Sequence, residues 1–234
     1  MAPKSSEKIE KHPNKRAYNY LAYDIGNKYL YKYSKYFKGK AIDLGCGSAP
    51  YKSFISKKTD SYTCLDWDNC LHNRKFDINA DLNLVLPIDD NSFDTIFSFS
   101  VIEHLKDPQL HVNEAYRICK KDGVLYMQCP FQWQIHEQPY DFFRFTKYGI
   151  EHLLKKAGFR KIIIEAQSGF FTMLALKVNY FLTRFVKGPR ILKNLIYFLI
   201  RPIWVFNQLI APIMDNLDRT WSTETFSYAV IAFK

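Results

Sequence analysis

The chain has few cysteines, and none of them stand at a spacing typical of a zinc site. Its five cysteines in 234 residues form no Cys-x-x-Cys pair and no Cys/His cluster. We therefore expect reduced, mostly buried thiols and predict no metal. The N-terminal stretch MAPKSSEKIEKHPNK has no apolar segment that would act as a signal peptide. Both observations predict a cytoplasmic protein.

Acidic residues are absent from a long C-terminal stretch. Between Phe170 and Met214 there is no Asp or Glu, whereas Lys and Arg are scattered among large apolar side chains. The whole chain carries a formal charge of +10. Such an excess favours an anionic partner: nucleic acid, a membrane surface or a phosphorylated ligand.

Residues 195–214, within this stretch, are apolar and long enough to span a bilayer by count. However, Arg201 and Pro202 stand in the middle, and a charge at the bilayer centre is costly. We predict no crossing. Apolar helices with only positive charge suit the surface of an anionic membrane. A helical lid over a binding pocket and a dimer interface are the alternatives. Nucleic acid is disfavoured, because large aliphatic residues separate the basic ones.

The pattern of the chain predicts three regions and no internal repeat. Residues 1–39 form a basic, tyrosine-rich helical cap, and residues 167–219 form an apolar, basic helical insertion. Residues 40–166 and 220–234 form an α/β core, since strand-like and helix-like segments alternate there. The predicted strands are 40–44, 62–66, 93–100, 123–130, 161–166 and 224–234, and the predicted helices are 50–57, 107–119 and 146–158.

The segment KAIDLGCGSAPY, residues 40–51, is the most informative of the core. A strand ends in Asp43-Leu44 and runs into a turn containing Gly45 and Gly47, followed by a predicted helix. A tight glycine turn at the carboxyl end of a strand lets the backbone approach a nucleotide closely. A dinucleotide site is disfavoured, because the spacing is not G-x-G-x-x-G.

Further acids follow at the spacing that a nucleoside site needs. Asp66 ends the second strand, where it can bind a ribose diol, and Asp81 follows a short segment from which it can reach an adenine amino group. Each acid alone is equally typical of an ordinary turn.

Three motifs in this order, DLGCGSAP, LPIDDNSFD and VIEHLKDP, resemble the class I S-adenosylmethionine-dependent methyltransferases, specifically the type 11 group. The resemblance covers roughly residues 40–165. It implies a Rossmann-like, seven-stranded sheet with an antiparallel last strand, and S-adenosylmethionine as cofactor. One departure is Ala49 at the third small position of the glycine loop.

The resemblance also implies roles for individual residues. Asp43, Gly45 and Gly47 would line the methionine part of the cofactor, Asp66 would hold the ribose, and Trp67 would lie beside the adenine. In addition, Asp81 and Leu82 would border the adenine, and the backbone of Ser98 would face the sulfonium. Glu103 and His104 are interpreted as stabilising a turn beneath the cofactor.

The segment HEQPYDFFRFT, residues 136–146, follows the fifth strand, where the acceptor pocket is expected. His136 is a candidate base, because imidazole titrates near neutral pH. Asp141 or Glu137 would orient it, and Arg144 would bind an anionic acceptor. The rings of Trp133, Tyr140 and Phe143 would stack on a sugar or line a dry pocket. Alternatively, Asp141 and Arg144 pair with each other and only fix the loop.

This segment is similar to a subset of these methyltransferases associated with bacterial glycan and lipid-linked saccharide assembly. We therefore expect O-methylation of a saccharide or lipid-linked glycan on the inner face of the cytoplasmic membrane. The alternatives are a soluble or apolar small-molecule acceptor with the insertion as lid, and a catalytically silent, cofactor-binding partner subunit. A homodimer is compatible with each of these.

Overall fold

The computed structural model describes residues 16–68 and 76–234, which contain seven strands and six α-helices. Cys70 and residues 1–15 of the predicted cap lie outside this part. The strands are β1 (Lys40–Leu44), β2 (Ser61–Asp66), β3 (Ile78–Asn79), β4 (Phe93–Phe99), β5 (Cys119–Pro130), β6 (Lys161–Ala166) and β7 (Ser227–Phe233). All six strands predicted by pattern are present.

The strands form one sheet in the order β3-β2-β1-β4-β5-β7-β6. The pairs from β3 to β5 are parallel, whereas β7 runs antiparallel between β5 and β6. The predicted fold, a seven-stranded class I methyltransferase sheet with its last strand reversed, is confirmed. Because β1, β2 and β4 are parallel neighbours, their carboxyl ends meet at one edge, where α/β sheets bind ligands.

The helices are α1 (Tyr20–Tyr33), α2 (Lys52–Ile55), α3 (Pro108–Ile118), α4 (Lys147–Ala157), α5 (Phe170–Thr183) and α6 (Arg190–Leu217). The predicted ends of α4 are confirmed: the Thr146 side chain accepts from the amide of Gly149, and Gly158 adopts the left-handed conformation at φ 113°. Asp107 caps α3 in the same way.

Helices cover both faces of the sheet, as the alternation predicts. One core cluster includes Ile42 and Leu125 from the sheet and Val112 and Leu154 from α3 and α4. On the opposite face, aromatic rings such as Phe97 pack with α1. Cys46, Cys64, Cys119 and Cys129 are free and buried, in agreement with their prediction as reduced thiols.

The predicted insertion consists of α5, α6 and their connection. Asp215, at the end of α6, accepts hydrogen bonds from the amides of Gly169, Phe171 and Thr172 at the start of α5. These bonds satisfy N–H groups that have no partner within α5. The first and last turns of the insertion are thereby joined beside the sheet.

The insertion packs against α1. Leu21 and Ile25 form a small apolar cluster with Met173 and Leu176 of α5. From α6, Trp204 contacts the ring of Tyr18 with centroids 5.7 Å apart. The side chain of Gln208 donates to the carbonyl of Ala17, and that of Asn207 donates to Asn179 on α5. Polar and apolar contacts therefore hold the middle of α6 on the protein.

The other side of α6 is apolar and exposed. Ile191 is 86% exposed, Phe198 75% and Leu209 64%. Helix α6 is the one described helix that is long and apolar enough, by length and composition, to cross a membrane. Arg190, Lys193 and Arg201 are exposed on the same helix. We call the exposed apolar side chains of α6, which include Ile191, Phe198, Phe206 and Leu209, the apolar face.

Candidate active site

A cavity of about 580 Å³ opens at the carboxyl ends of β1, β2 and β4. This volume is typical of small-molecule sites. One part of its wall comes from the glycine turn after β1 and the segments after β2 and β3. The other comes from the segment after β4 and the loop after β5.

Gly45 fits this wall because it has no side chain. Its φ of +76° favours glycine, and an added Cβ would lie 2.7 Å from Val101 Cγ2 and 3.4 Å from Leu82 Cδ1. Its amide donates to the carbonyl of Leu65 on β2, so the turn is fixed to the sheet. The backbone is therefore open toward the cavity, where a side chain would fill the space.

Asp66 connects the glycine turn to the end of β2. Its Oδ2 accepts from the amide of Gly47 at 2.8 Å, and its Oδ1 accepts from the amide of Trp67 at 2.9 Å. The carboxylate lines the cavity while it holds the turn in place, so the predicted ribose role is compatible with its position.

Trp67, Asp81 and Leu82 also line the cavity, as the resemblance implies. The Trp67 ring meets the Tyr140 ring edge to face at 5.5 Å. Asp81 Oδ1 accepts from the amide and the side chain of Asn83, which fixes the segment after β3. These residues provide the flat apolar surface and the acceptor group that a nucleobase requires.

Two residues expected at the cofactor lie behind the wall instead. Asp43 is buried beneath the turn, where it accepts a hydrogen bond from the hydroxyl of Tyr62. Ser98 is buried under the sheet edge, and its Oγ lies 3.1 Å from Nε2 of His111. Neither is among the residues that line the cavity. The backbone turns outward only after these positions, at Gly45 and at Ser100, whose φ is 53°.

The loop after β5 is fixed onto the turn after β4. The carbonyl of Glu103 accepts from the amides of Phe142 and Phe143 at 2.9 and 3.1 Å. The loop therefore places His136, Tyr140 and Phe142 in the cavity wall. His104, from the turn, lines the same part of the wall.

Arg144 is engaged within this loop. It forms a two-pronged ion pair with Asp141, with bonds of 2.6 and 2.7 Å. Its remaining N–H groups donate to the carbonyls of Trp133, Gln134 and Phe143. All five N–H groups of the guanidinium are thus used. This geometry corresponds to the loop-fixing alternative, and binding of an anionic acceptor by Arg144 remains a prediction without a contact to support it.

His136 is oriented by the same network. Its amide donates to Asp141 Oδ2, and its ring Nδ1 lies 3.2 Å from the Gln134 carbonyl and 3.3 Å from Arg144 Nη2. Burial, followed by the neighbouring His104, lowers the pKa of His136. Its imidazole is therefore neutral at pH 7.

The structure adds a contact that the motifs did not indicate. The rings of His104 and His136 meet edge to face at 4.7 Å, and Glu103 lies directly beneath them. Glu103 and His104 were interpreted as turn-stabilising residues, and the Glu103 carbonyl does dock the loop. The contact with His136 is 33 positions distant in sequence, so no local pattern could reveal it. Tyr140 also lines the cavity.

The sheet order, the reversed last strand and a glycine-walled cavity with Asp66 together define a class I S-adenosylmethionine-dependent methyltransferase fold. Comparison with known proteins agrees. Residues 42–127 match the family described as "Methyltransferase domain". Over this segment the resemblance found in the motifs is confirmed.

A relative named as a probable S-adenosylmethionine-dependent methyltransferase, from Mycolicibacterium smegmatis, is 30% identical over 95 residues. That match covers 38% of the chain and only 37% of the relative. Among solved structures, a SAM-dependent methyltransferase from Archaeoglobus fulgidus is similar at a TM-score of 0.57 and 17% identity, over 90% of the chain and 94% of that protein.

Phosphoethanolamine N-methyltransferase 2 from Haemonchus contortus, solved with S-adenosyl-L-methionine, is similar at a TM-score of 0.56 and 16% identity. The similarity covers 93% of the chain and 56% of that protein. At such identities the likeness establishes the fold. The cofactor predicted from the motifs is the one bound in this structure of the same fold.

Proposed function

We propose that the protein transfers a methyl group from S-adenosylmethionine to a hydroxyl oxygen. The observation that carries this proposal is the division of one cavity into two chemically different halves. Gly45, Asp66, Trp67 and Asp81 supply an open backbone, two carboxylates and an aromatic ring, which suit an adenosine. Opposite them, the turn after β4 and the loop after β5 supply imidazoles and aromatic rings.

The bound cofactor would supply an electrophilic methyl group on a sulfonium. Transfer to a hydroxyl forms a C–O bond, breaks the C–S bond and releases one proton. The proton must be removed by a group near the reacting oxygen. The imidazoles of His104 and His136 are placed to do so, and an acceptor held between Tyr140 and Phe142 would be shielded from water.

We further propose that the acceptor is a saccharide carried on a lipid and that the protein works at a membrane surface. The apolar face of α6 groups many exposed apolar side chains on one helix, whereas ordinary surfaces expose such side chains singly. Arg190, Lys193 and Arg201 are exposed on the same helix. Because Trp204, Asn207 and Gln208 hold the middle of α6 on the protein, the helix suits lying along an interface better than crossing it.

A lid role for the insertion has less support. Within the described part of the chain, no residue of 167–219 lines the cavity. The insertion contacts α1, and it meets the loop after β5 at Gln132 and Trp133.

The test combines donor binding with methyl transfer. Titration calorimetry with S-adenosylmethionine should give saturable binding, and its absence would refute the proposal. Transfer of labelled methyl should then be followed to lipid extracts and to water-soluble glycan fractions. Label in the lipid fraction is expected. Label confined to the soluble fraction would refute the lipid-linked acceptor, and donor binding without any transfer would favour the silent partner subunit.

A further inference from the structure

Glu103 is a buried carboxylate with no hydrogen bond to its oxygens. Its side chain is fully buried, and among the described residues neither Oε1 nor Oε2 has a hydrogen-bond partner. A buried carboxylate is costly unless it is paired. The carboxylate therefore needs a counter-charge or a proton donor.

Two imidazole nitrogens point toward this carboxylate. Nε2 of His104 lies 3.6 Å and Nε2 of His136 lies 3.9 Å from Glu103 Oε1. Both separations exceed a hydrogen bond, so no shared proton joins these atoms. The two imidazoles therefore lie near the Glu103 carboxylate without a hydrogen bond to it.

The outer nitrogens of both rings face backbone carbonyls. His104 Nδ1 donates to the Tyr140 carbonyl at 2.7 Å, since a carbonyl can only accept. His136 Nδ1 lies 3.2 Å from the Gln134 carbonyl, and with its proton there it donates likewise. In these tautomers each Nε2 turns a lone pair toward Glu103. Histidines that bind metals are oriented by this kind of bond.

Arg144 does not donate to Glu103. Its N–H groups are all donated to Asp141 and to loop carbonyls. In the tautomers described above, the two Nε2 atoms and the Glu103 carboxylate therefore converge as three candidate ligands, and no described side chain donates a hydrogen bond to either Glu103 oxygen.

The spacing of these three atoms suits one metal ion. The candidate ligand atoms of Glu103, His104 and His136 all lie within 4.8 Å of one another. Ligands bound to a single ion at about 2.1 Å are roughly 3 to 3.5 Å apart. Small rotations of the two imidazole rings, each moving Nε2 by up to about an ångström, would bring the three ligand atoms to this spacing.

We propose that Glu103, His104 and His136 bind one divalent transition-metal ion beside the methyl-donor half of the cavity. Two imidazoles and one carboxylate favour Zn²⁺, Fe²⁺, Co²⁺, Ni²⁺ or Mn²⁺ over Mg²⁺ and Ca²⁺, which prefer oxygen ligands. Because His104 and His136 line the cavity, the open coordination positions of the ion face it. Three protein ligands with an open position are typical of catalytic metal sites.

The role of the ion rests on the function proposed above. It would orient the acceptor hydroxyl and lower its pKa, so that the hydroxyl loses its proton to water when it binds the ion, before the acceptor is enclosed and the C–O bond forms. His104 and His136 would then both be ligands of the ion, and neither would be the base. Adjacent hydroxyls of a sugar are suitable ligands for the open positions.

The experiment is a titration of chelator-treated protein with CoCl₂, followed by calorimetry and by the visible absorption of bound Co²⁺. One ion per chain is expected, with nitrogen-ligand bands in the spectrum. Glu103→Gln and His136→Ala should each weaken binding by about tenfold to a hundredfold. His152→Ala, which removes an exposed histidine of α4, should leave binding unchanged.

Glu103→Gln keeps the size of the side chain and removes a buried charge, so its fold should persist, which circular dichroism will verify. Absence of saturable Co²⁺ binding, or equal binding by wild type and both variants, would overturn the site. The proposed function is tested separately by S-adenosylmethionine titration. Co²⁺ binding without donor binding would thus refute the methyl-transfer role and leave the metal site standing.

Discussion

Ser98 on β4 and His111 on α3 share one hydrogen bond in the core, 3.1 Å from Oγ to Nε2, and no described residue bonds the other imidazole nitrogen. A second proton on His111 would therefore have no acceptor. Burial lowers the pKa of His111 to about 4. The buried hydrogen bond between Ser98 and His111 is therefore stable only while the His111 ring is neutral.

The first prediction concerns stability and pH. In the unfolded chain His111 titrates near its usual pKa of about 6.5. Between pH 6.5 and 4 the unfolded state binds the proton and the folded state does not, so the stability from this residue is complete above pH 6.5 and falls as the pH falls toward 4. The loss should reach about 3 kcal/mol. Urea unfolding at pH 7.5 and pH 4.5 measures it.

His111→Gln should remove this part of the pH dependence, whereas His152→Gln on the exposed surface of α4 should retain it. Equal pH dependence in wild type and His111→Gln would show that His111 does not titrate as described.

The second prediction concerns the glycine turn. Gly45→Ala should weaken S-adenosylmethionine binding by on the order of tenfold or more, because the added methyl group meets Val101 and the left-handed backbone becomes strained. Titration calorimetry measures the change. Gly149→Ala is the control, since its new methyl group has contacts no closer than 3.5 Å. Unchanged affinity in Gly45→Ala would place the cofactor elsewhere.

The third prediction concerns the Asp141–Arg144 pair. The Asp141 side chain is only 3% exposed, so Arg144→Ala leaves a nearly buried carboxylate without its partner. We expect a loss of about 3 kcal/mol in the free energy of unfolding. Lys155→Ala, which breaks the exposed pair with Glu151, should not change the unfolding midpoint measurably. If both variants unfold alike, the loop is fixed by other contacts.

The fourth prediction concerns the apolar face of α6. The double change Phe198→Glu and Phe206→Glu should abolish flotation with anionic vesicles, because it removes two exposed rings and adds charge that such lipids repel. Tyr148→Glu, at an exposed ring on α4, is the matched control and should float like the wild type. If the wild type does not float, the membrane proposal is wrong.

Much of the fold was predictable because its signals are local. Thr146 and Gly158 mark the ends of α4, and the strands alternate with helices at the expected spacing. The beginning of β5 was not predicted. It starts at Cys119, four residues early, because α3 runs directly into it, and pairing of Cys119 with Phe93 extends the strand through polar residues.

The cofactor half of the site was predictable for the same reason, since Gly45 directly follows β1 and Asp66 is the last residue of β2. Where the backbone turns outward at a strand end was harder to predict: the Asp43 side chain is buried beneath the turn, and Ser98, predicted to face the sulfonium through its backbone, does not line the cavity. The convergence of Glu103 and His136 depends on how two loops dock, through hydrogen bonds to one backbone carbonyl. No periodicity or spacing encodes such a contact.

The bonds between Asp215 and the start of α5 have a consequence for how this protein can vary. Gly169 and Asp215 are hydrogen-bonded to each other, and β6 pairs directly with β7. The residues between Gly169 and Asp215 are therefore an insertion whose two ends lie side by side. The sheet requires only that the two ends come together. We therefore expect that the segment between them can change in length or sequence while the cavity stays as it is.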